Sequence, residues 1–272
     1  MIVIGAGPAG LSAATALARA GLRCLALDKL APGGALINLG ELHDTAEAGT
    51  GADVAARLTD EAMSAGAEIG FGEVSGISGN GPWTIETTDG EHHVAKAIVV
   101  ATGLNKGRLG LPEEESFEGR GLSHCAACDG PLYAGQPVIV AGREGWAAQE
   151  ARELEAVAGR VTVLDPASDR IVALEGDDGL QSVVVESGGA RKSIPARAVF
   201  VYVGQSPAAE FLPDSLARDA SGHIVVDETG RASSPTAFAA GDVRAGSRSM
   251  LVEALADGRR AAEAIVAALK RD

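Results

Sequence analysis

Two stretches of this chain share the same order and spacing of structural signals. The first has a short apolar strand, a glycine turn that opens at Gly5, a helix-forming run and an apolar strand that ends at Asp28. The second repeats this order from Gly142 to Asp165, and in both stretches 23 positions separate the glycine from the acid. Between them, Trp83–Thr88 and His92–Val100 are each predicted to form a strand. The repeat predicts an α/β fold with two Rossmann-like domains, each built in three layers (ββα or αβα).

The composition is that of an acidic globular chain. Its 272 residues suffice for two domains of ordinary size, and 46% of them are hydrophobic. The net charge of −14 argues against nucleic acid and anionic membranes as partners, because both attract clustered Lys and Arg. The sequence has no run of about 18 apolar residues and no pattern of a secretory leader. We therefore expect a cytoplasmic protein without a membrane partner.

Two proline-containing stretches are predicted to be linkers. Leu109–Gly121 is rich in glycine and acidic residues, and Ala232–Pro235 is a run of small residues. The chain after the second linker contains a glycine–acid turn and a long alanine-rich helix, Met250–Leu269, which suggest a return to the first domain. The expected domains are 1–112 and 236–272 for the first and 113–235 for a second domain inserted into it.

The first glycine turn has the G-x-G-x-x-G pattern of a dinucleotide-binding loop. In such a loop Gly5 permits the tight turn, Gly7 lets the backbone approach a pyrophosphate, and Gly10 lets helix and strand pack closely. The N-terminus of the following helix offers N–H groups to phosphate oxygens. Asp28 ends the next strand, where a carboxylate accepts hydrogen bonds from ribose hydroxyls. The pattern predicts that the first domain binds a dinucleotide.

Two of the three cysteines, Cys125 and Cys128, form a C-x-x-C motif. In a cytosolic chain this spacing favours redox chemistry, because the thiolate of such a pair exchanges with disulfides. Asp129 follows directly and is a candidate proton donor or acceptor. A metal site with His124 as a third ligand is the alternative, but structural zinc sites usually use two separated ligand pairs. We expect a redox pair, no metal, and a buried core position for the third cysteine, Cys24.

The cysteine motif also carries a family resemblance. The segment Leu109–Gly130, which ends in S-H-C-A-A-C-D-G, resembles the low-molecular-weight thioredoxin reductases, which are FAD-dependent class II pyridine nucleotide-disulfide oxidoreductases. Similar matches occur at Ala101–Gly103, Val201–Pro207 and Ala239–Val243, so that the resemblance extends over nearly the whole chain. It implies an FAD-binding domain interrupted by a nucleotide-binding-like domain that carries the redox dithiol.

The resemblance further implies roles for individual residues. Cys128 would face the flavin, and Cys125 would exchange with the external disulfide. The family usually has glutamine where Met250 stands, so only a backbone contact is expected there. The residues assigned to FAD are Gly5, Gly7, Pro8, Ala9 and Gly10 at the pyrophosphate, Asp28 at the adenosine ribose, Gly33, Gly34 and Asn38 along the flavin, Asp242 at the ribityl or pyrophosphate region, Met250 and Leu251 at the pyrimidine edge, and Lys29, Ala101, Thr102, Gly103 and Gly241 as further contacts.

The second glycine turn departs from the family pattern. Glu144 stands where the middle glycine is expected, and its charge would oppose a pyrophosphate by about 1 to 4 kcal/mol at 4 Å. Gly145 and Arg143 would partly compensate if the loop shifted. Family members that use NADPH carry a basic cluster after the following strand, whereas this chain has Asp165 and then Pro-Ala-Ser. NADPH is therefore disfavoured, and NADH, a reduced electron-transfer protein or no nucleotide stay open as donors.

Three functions are compatible with these motifs. The first is an FAD-dependent dithiol/disulfide oxidoreductase that reduces a thioredoxin-like protein or a small-molecule disulfide. The second is a dithiol oxidase that forms a disulfide in a small molecule, with oxygen as acceptor. The third is a non-catalytic flavin electron-transfer subunit. Asp129 favours the first function, because the oxidases often have histidine after the second cysteine, and the retained dithiol argues against the third. The resemblance implies a homodimer.

Overall fold

The computed structural model describes residues 1–40, 42, 49–143 and 145–269, with the side chain of Trp146 excepted. The chain divides into two compact units. Within the described residues, none of the helices combines the length and the apolar character that a bilayer span requires. The first unit comprises Met1–Ile37, Glu41–Asn105 and Ser206–Asp272, and the second comprises Asn38–Gly40 and Lys106–Gln205.

The first unit contains a parallel sheet and an antiparallel sheet. Its strands are β1 (Ile2–Ile4), β2 (Leu25–Asp28), β3 (Glu68–Phe71), β4 (Val74–Gly79), β5 (Trp83–Thr87), β6 (His92–Ala95), β7 (Ile98–Val100) and β15 (Ala237–Ala239), and its helices are α1 (Pro8–Arg19), α2 (Gly51–Ser64) and α6 (Leu251–Leu269). The parallel sheet has the strand order β15-β7-β1-β2-β3, and β4, β5 and β6 form the antiparallel sheet.

The second unit repeats this architecture. Its strands are β8 (Leu122–Ser123), β9 (Pro137–Ala141), β10 (Arg160–Leu164), β11 (Asp169–Glu175), β12 (Ser182–Ser187), β13 (Ala190–Pro195) and β14 (Ala198–Val201), and its helices are α3 (Glu114–Phe117), α4 (Ala126–Asp129) and α5 (Trp146–Glu155). The parallel sheet has the order β10-β9-β14-β8, and β11, β12 and β13 form the antiparallel sheet. Short 3-10 turns lie at Gly130–Tyr133 in this unit, at Gly241–Val243 in the first unit, and at Gly34–Asn38, where the chain passes from the first unit to the second.

The internal repeat predicted from the glycine–acid spacing is present in both units. Each has a βαβ element, then a three-stranded antiparallel sheet, then a strand that returns to pair in parallel with the first. In the first unit the central strands β1 and β7 are apolar and fully buried, as strands of a parallel sheet covered on both faces must be. The predicted α/β fold with two Rossmann-like domains is confirmed.

Helices α1 and α6 approach each other closely in the first unit because small residues meet at their contact. A Cβ placed on Gly258 of α6 would lie 2.0 Å from the carbonyl oxygen of Ala9 in α1. Only glycine fits at this position without moving one helix. The contact holds the first half of α6 against the first turns of α1, where Ser12 also donates its hydroxyl to the carbonyl oxygen of Leu255.

The division into units differs from the predicted boundaries at residues 112 and 235. The segment between Ser206 and residue 235 supplies Leu212, Leu216 and Ile224 to the buried cluster that also contains Ile2. It therefore belongs with the first unit, because its apolar side chains are buried there. At the other boundary, Leu109 packs against the core of the second unit, so that residues 106–112 lie within that unit rather than before it.

Candidate active site

The glycine loop between β1 and α1 is held by two very close backbone contacts. Gly5 has φ +95°, and a Cβ on it would lie 2.4 Å from the carbonyl oxygen of Ala101. A Cβ on Gly10 would lie 1.9 Å from the carbonyl oxygen of Gly5. A side chain at either position would overlap main-chain atoms that cannot move independently. Both glycines are therefore required by the packing of the loop against β7 and α1.

The middle glycine, Gly7, serves a different purpose, because space remains around it. The nearest heavy atom to a Cβ on Gly7 would be the Cα of Gly34, at 3.9 Å. Gly7 is the N-cap of α1 and makes no side-chain cap, and Pro8 follows as the first helical residue. The N-terminus of this 12-residue helix is thus open to an anion. This cradle fits the pyrophosphate of a dinucleotide.

A second glycine loop closes one side of the cradle. Gly33 has φ +113° and donates its N–H to the carbonyl oxygen of Ala6 at 2.7 Å. Gly34 has φ +56°, and a Cβ on it would lie 3.0 Å from the Cα of Gly7. The two loops therefore meet backbone to backbone. This places Gly34, a predicted cofactor residue, beside the dinucleotide loop.

Asp28 joins the end of β2 to the glycine loop. One carboxylate oxygen accepts the N–H of Ala6 at 2.7 Å, and the other accepts the N–H of Leu30 at 3.0 Å. Each oxygen keeps lone pairs for further donors, so the arrangement is compatible with the predicted ribose contact. The neighbouring Lys29 extends toward Glu73, with 3.8 Å between its Nζ and a carboxylate oxygen. A cofactor contact of Lys29 stays a prediction.

The segment after β7 borders the same loop. Ala101 donates its N–H to the carbonyl oxygen of Ile4 at 2.7 Å, which continues the pairing of β7 with β1. Thr102 donates its hydroxyl to the carbonyl oxygen of Ala208 at 2.6 Å, and Gly103 follows with φ +66°. The A-T-G motif is therefore a turn anchored on both sides. Its predicted role as a cofactor contact rests on this position.

Gly241 and Asp242 approach the N-terminus of α1 from the last part of the chain. Gly241 has φ +74°, and a Cβ on it would lie 2.9 Å from the Cβ of Ala9. Asp242 accepts the hydroxyl of Ser247 at 2.8 Å. Met250, which is 38% exposed, immediately precedes α6, whose first residue, Leu251, is buried. Gly241, a predicted FAD residue in the last part of the chain, thus lies beside the first turn of α1.

A buried ion cluster that the sequence did not reveal supports this last segment. Asp257, which is 2% exposed, accepts hydrogen bonds from Arg244, from Arg260 and from the N–H of Gly241. Arg244 also pairs with Glu253 at 2.8 Å. The cluster ties the Gly241–Asp242 turn to the first half of α6. The motif G-D-V-R followed by an acid 13 positions after the arginine was the available signal.

The C-x-x-C cysteines form a disulfide in the second unit, with 5.3 Å between their Cα atoms. Cys125 is the N-cap of α4, and its Sγ accepts the N–H of Cys128 at 3.0 Å. Cys125 is only 8% exposed, whereas Cys128 is exposed. The carbonyl oxygen of Asn38 lies 3.4 Å from the Sγ of Cys125. Asn38, expected along the flavin, is therefore placed against the cysteine pair within the second unit.

Asp129 is oriented by a hydroxyl that the sequence analysis did not single out. Ser123 is 3% exposed and donates its hydroxyl to a carboxylate oxygen of Asp129 at 2.7 Å. The same hydroxyl accepts the N–H of Cys125 at 3.2 Å.

Cys24 is free and buried in the first unit, and burial raises its pKa to about 11. The pair and its neighbouring acid are thus the reactive thiol centre of the described residues.

The second glycine turn forms a cleft of about 370 Å³ between the ends of β9 and β10. Gly142 has φ +135°, and a Cβ on it would lie 2.8 Å from the Cβ of Ala147. Arg143 pairs with Asp165 at 2.8 Å, and this hydrogen bond holds the pKa of Asp165 below its ordinary value. The predicted obstruction by Glu144 lies outside the described residues.

Comparison with known proteins decides the family. The family model for pyridine nucleotide-disulphide oxidoreductases matches residues 1–173 and 167–267. Thioredoxin reductase from Treponema pallidum is 32% identical over 292 residues, which cover 97% of this chain and 95% of that protein. The chain belongs to this family.

The solved structures agree with this assignment. Thioredoxin reductase from Lactococcus lactis in the FR conformation has a TM-score of 0.91 at 30% identity, with 98% of each chain covered. The enzyme from T. acidophilum has a TM-score of 0.92 at 29% identity, with 99% of this chain and 98% of that chain covered. Within the family, the protein is thus a member of the low-molecular-weight thioredoxin reductase group, a flavoprotein disulfide oxidoreductase.

The first unit fits the FAD that this family uses. The cradle between Gly7 and Gly34 leaves room for a pyrophosphate at an uncapped helix terminus, and Asp28 stands at the end of the next strand. Among the residues that the structure describes, no group of three or more His, Cys, Asp and Glu side chains is arranged to hold a metal ion.

Proposed function

We propose that this protein passes electrons from bound FAD to the Cys125–Cys128 disulfide and from the reduced pair to an external disulfide. The observation that carries the proposal is the formed disulfide itself, next to an acid whose carboxylate is already oriented by Ser123. When bound, FAD supplies a two-electron carrier that exchanges electrons with the pair. The relatives' name supports a thioredoxin-like protein as the external partner; a small-molecule disulfide is the other candidate.

In the reduced pair we assign the attack on the external disulfide to Cys125. The N–H of Cys128 points at the Sγ of Cys125, and a hydrogen bond to the charged form stabilises a thiolate. The Cys125 thiolate attacks one sulfur of the external disulfide, and the other sulfur leaves as a thiolate. The Cys128 thiolate then attacks the Sγ of Cys125, which re-forms the pair and releases the second external thiolate. The low exposure of Cys125 means that the partner must uncover this sulfur.

Asp129 is proposed to hold or release the proton that the pair exchanges. Its carboxylate is one residue from Cys128 and accepts the Ser123 hydroxyl at 2.7 Å. A carboxylate fixed in this way transfers a proton without first having to reorient. Ser123, through its contacts with both Asp129 and Cys125, is the positioning residue for this step.

The electron donor is proposed to be NADH or a reduced electron-transfer protein rather than NADPH. Asp165 directly follows β10, and Asp28 is the last residue of β2. Asp28 accepts the backbone N–H of Ala6, and Asp165 accepts a hydrogen bond from the guanidinium of Arg143. A carboxylate at this point suits a free ribose and opposes a 2′-phosphate. Arg143 is already paired with Asp165, so its positive charge is offset and attracts a 2′-phosphate less strongly.

Anaerobic reduction of the bound flavin tests the donor. We expect NADH to bleach the visible flavin band faster than NADPH, and Asp165→Asn to raise the NADPH rate several-fold, because it removes the opposing charge. Asp177→Asn, an exposed acid outside the cleft, is the matched control and leaves both rates unchanged. Faster bleaching by NADPH in the unaltered protein would contradict the donor assignment.

The same experiment separates the second candidate function. Asp165 disfavours NADPH, and a dithiol oxidase needs no NADPH. This residue therefore favours a dithiol oxidase as the alternative function. Bleaching by a small dithiol but by neither nicotinamide nucleotide, followed by reoxidation with oxygen rather than with a disulfide, would replace the reductase proposal by this one. The homodimer and the cytoplasmic location stay predictions, and sedimentation equilibrium of the holoprotein tests the first of them.

A further inference from the structure

A buried carboxyl group accepts a hydrogen bond from the turn that carries the cysteine pair, and it has no part in the reaction described above. Glu150 of α5 is 1% exposed. One of its carboxylate oxygens accepts the N–H of Ala126 at 2.6 Å and the hydroxyl of Tyr202 at 2.7 Å. Ala126 directly follows Cys125 and is the first residue of α4. Glu150 is therefore joined by one hydrogen bond to the turn that holds the disulfide.

The N–H groups of this turn face two different acceptors. The N–H of Cys128 is directed at the Sγ of Cys125, and the N–H of Ala126 is directed at Glu150. In the reduced pair, a thiolate on Cys125 and the carboxylate of Glu150 would be two negative charges at one short turn. Like charges disfavour each other's ionised form, most strongly where water is excluded. Glu150 therefore opposes the thiolate that Cys128 stabilises.

Retention of a carboxyl group at this place is costly unless it does more than pack. Burial raises the pKa of Glu150, and the hydrogen bonds from Tyr202 and Ala126 oppose that effect. Two donors on one oxygen favour the ionised form. If the carboxyl were absent, the Tyr202 hydroxyl, 3.2 Å from the Ala126 nitrogen, would still accept that N–H. The fold therefore has an acceptor for Ala126 without Glu150.

We propose that Glu150 is a positioning residue of the dithiol centre, which lowers the thiolate fraction of Cys125 and so makes the reduced pair a stronger reductant. A thiolate that is less stabilised leaves the reduced form less favoured, and electrons then pass more readily to an external disulfide. This inference rests on the proposed redox role of the pair. It assigns no contact between Glu150 and substrate, because Glu150 acts through the Ala126 N–H.

Other titratable groups surround the pair and Glu150, and the test must leave them unchanged. His124 and Asp129 flank the cysteines, and the Nε2 of His124 lies 3.0 Å from Glu118. Glu153 lies on the same helix as Glu150. Tyr202, which directly follows β14, donates its hydroxyl to Glu150. The comparison is therefore made between variants that differ only in the charge at Glu150.

The test measures the thiolate of Cys125 without any external disulfide. The holoprotein is reduced anaerobically by excess dithiothreitol, which closes to its cyclic disulfide as the pair takes up two electrons and two protons. After removal of the reductant, the rate of alkylation by iodoacetamide is followed against pH, and peptide mass spectrometry identifies the product at Cys125. We expect Glu150→Gln to move the Cys125 profile about one pH unit lower, a tenfold larger thiolate fraction below the pKa.

The matched control is Glu155→Gln, which removes one charge from an exposed position of α5 and leaves the profile in place. Glu150→Leu is the second variant, because it removes the charge by another route and leaves Tyr202 to accept the Ala126 N–H; it should shift the profile in the same direction. Coincident profiles for the unaltered protein and the two Glu150 variants would overturn the proposal. So would loss of bound flavin in both, since Glu150 would then be a requirement of folding. Failure of the proposed function would instead appear as a pair that forms thiolates but reduces no external disulfide.

Discussion

Cys125→Ser and Cys128→Ser are each expected to lower the reduction of an external disulfide by a factor of about a thousand or more while FAD stays bound. A serine hydroxyl neither ionises near neutral pH nor forms a disulfide, so the exchange loses one of its two sulfurs. The flavin remains because the glycine cradle, Asp28 and Gly241 all lie in the first unit, whereas the cysteines lie in the second. Visible flavin absorbance and turnover of oxidised thioredoxin measure the two effects on one preparation.

The third cysteine supplies the control for this result. Cys24 is buried, and burial raises its pKa to about 11, so Cys24→Ser should retain turnover. The single variants also assign the sulfurs. With Cys128→Ser, an activated aromatic disulfide should leave a stable mixed disulfide on Cys125. Trapping on Cys128 in the Cys125→Ser variant alone would reverse the assignment, in line with the greater exposure of Cys128. Full turnover in either variant would exclude this pair as the relay.

The sequence was most informative where a residue's role is local. The equal spacing of Gly5 to Asp28 and of Gly142 to Asp165 predicted two βαβ units, because a short turn, a helix and a strand fix that distance. Gly10 could be assigned to helix–strand packing for the same reason, since a Cβ on it would meet the carbonyl oxygen of Gly5 in the same loop. In these cases the pattern and the contact lie in the same supersecondary element.

Prediction was weaker where burial depends on distant segments. His92–Val100 is apolar enough to predict one strand, but the structure divides it between β6, in the antiparallel sheet, and β7, in the parallel sheet. The boundary expected at residue 235 differs from the structural division because Leu212 and Ile224 are buried against strands formed more than a hundred residues earlier. No local spacing carries that information.

The same limit explains why the supporting polar groups were missed. Glu150 and Asp257 each accept a hydrogen bond from the turn that carries a predicted site residue, yet neither belongs to the motif that it supports. Such partners are brought together by the tertiary fold, and a single sequence does not show which residues will meet. A motif search therefore finds the groups that react and omits the groups that hold them.

The glycine cradle gives the second large expected effect, because its glycines are required for different reasons. Gly7→Ala should leave the fold intact and weaken FAD binding about a hundredfold, near 2.7 kcal/mol. The new methyl group meets no protein atom closer than 3.9 Å, so it occupies the space that the pyrophosphate needs. Gly10→Ala should instead destabilise the fold strongly, because its methyl group would lie 1.9 Å from the carbonyl oxygen of Gly5.

Thermal unfolding of the FAD-free proteins and titration with FAD separate these two outcomes. Gly76→Ala, in the same unit with no atom within 4 Å of its new methyl group, is the control and changes neither quantity. For Gly7→Ala, replacing a glycine N-cap should lower the free energy of unfolding by about 1 kcal/mol or less, whereas Gly10→Ala should cost on the order of 3 kcal/mol or more. Unchanged FAD affinity in Gly7→Ala would place the pyrophosphate away from this loop. A stable Gly10→Ala protein would show that α1 can move away from β1, and the close packing of helix and strand would then not be what this glycine provides.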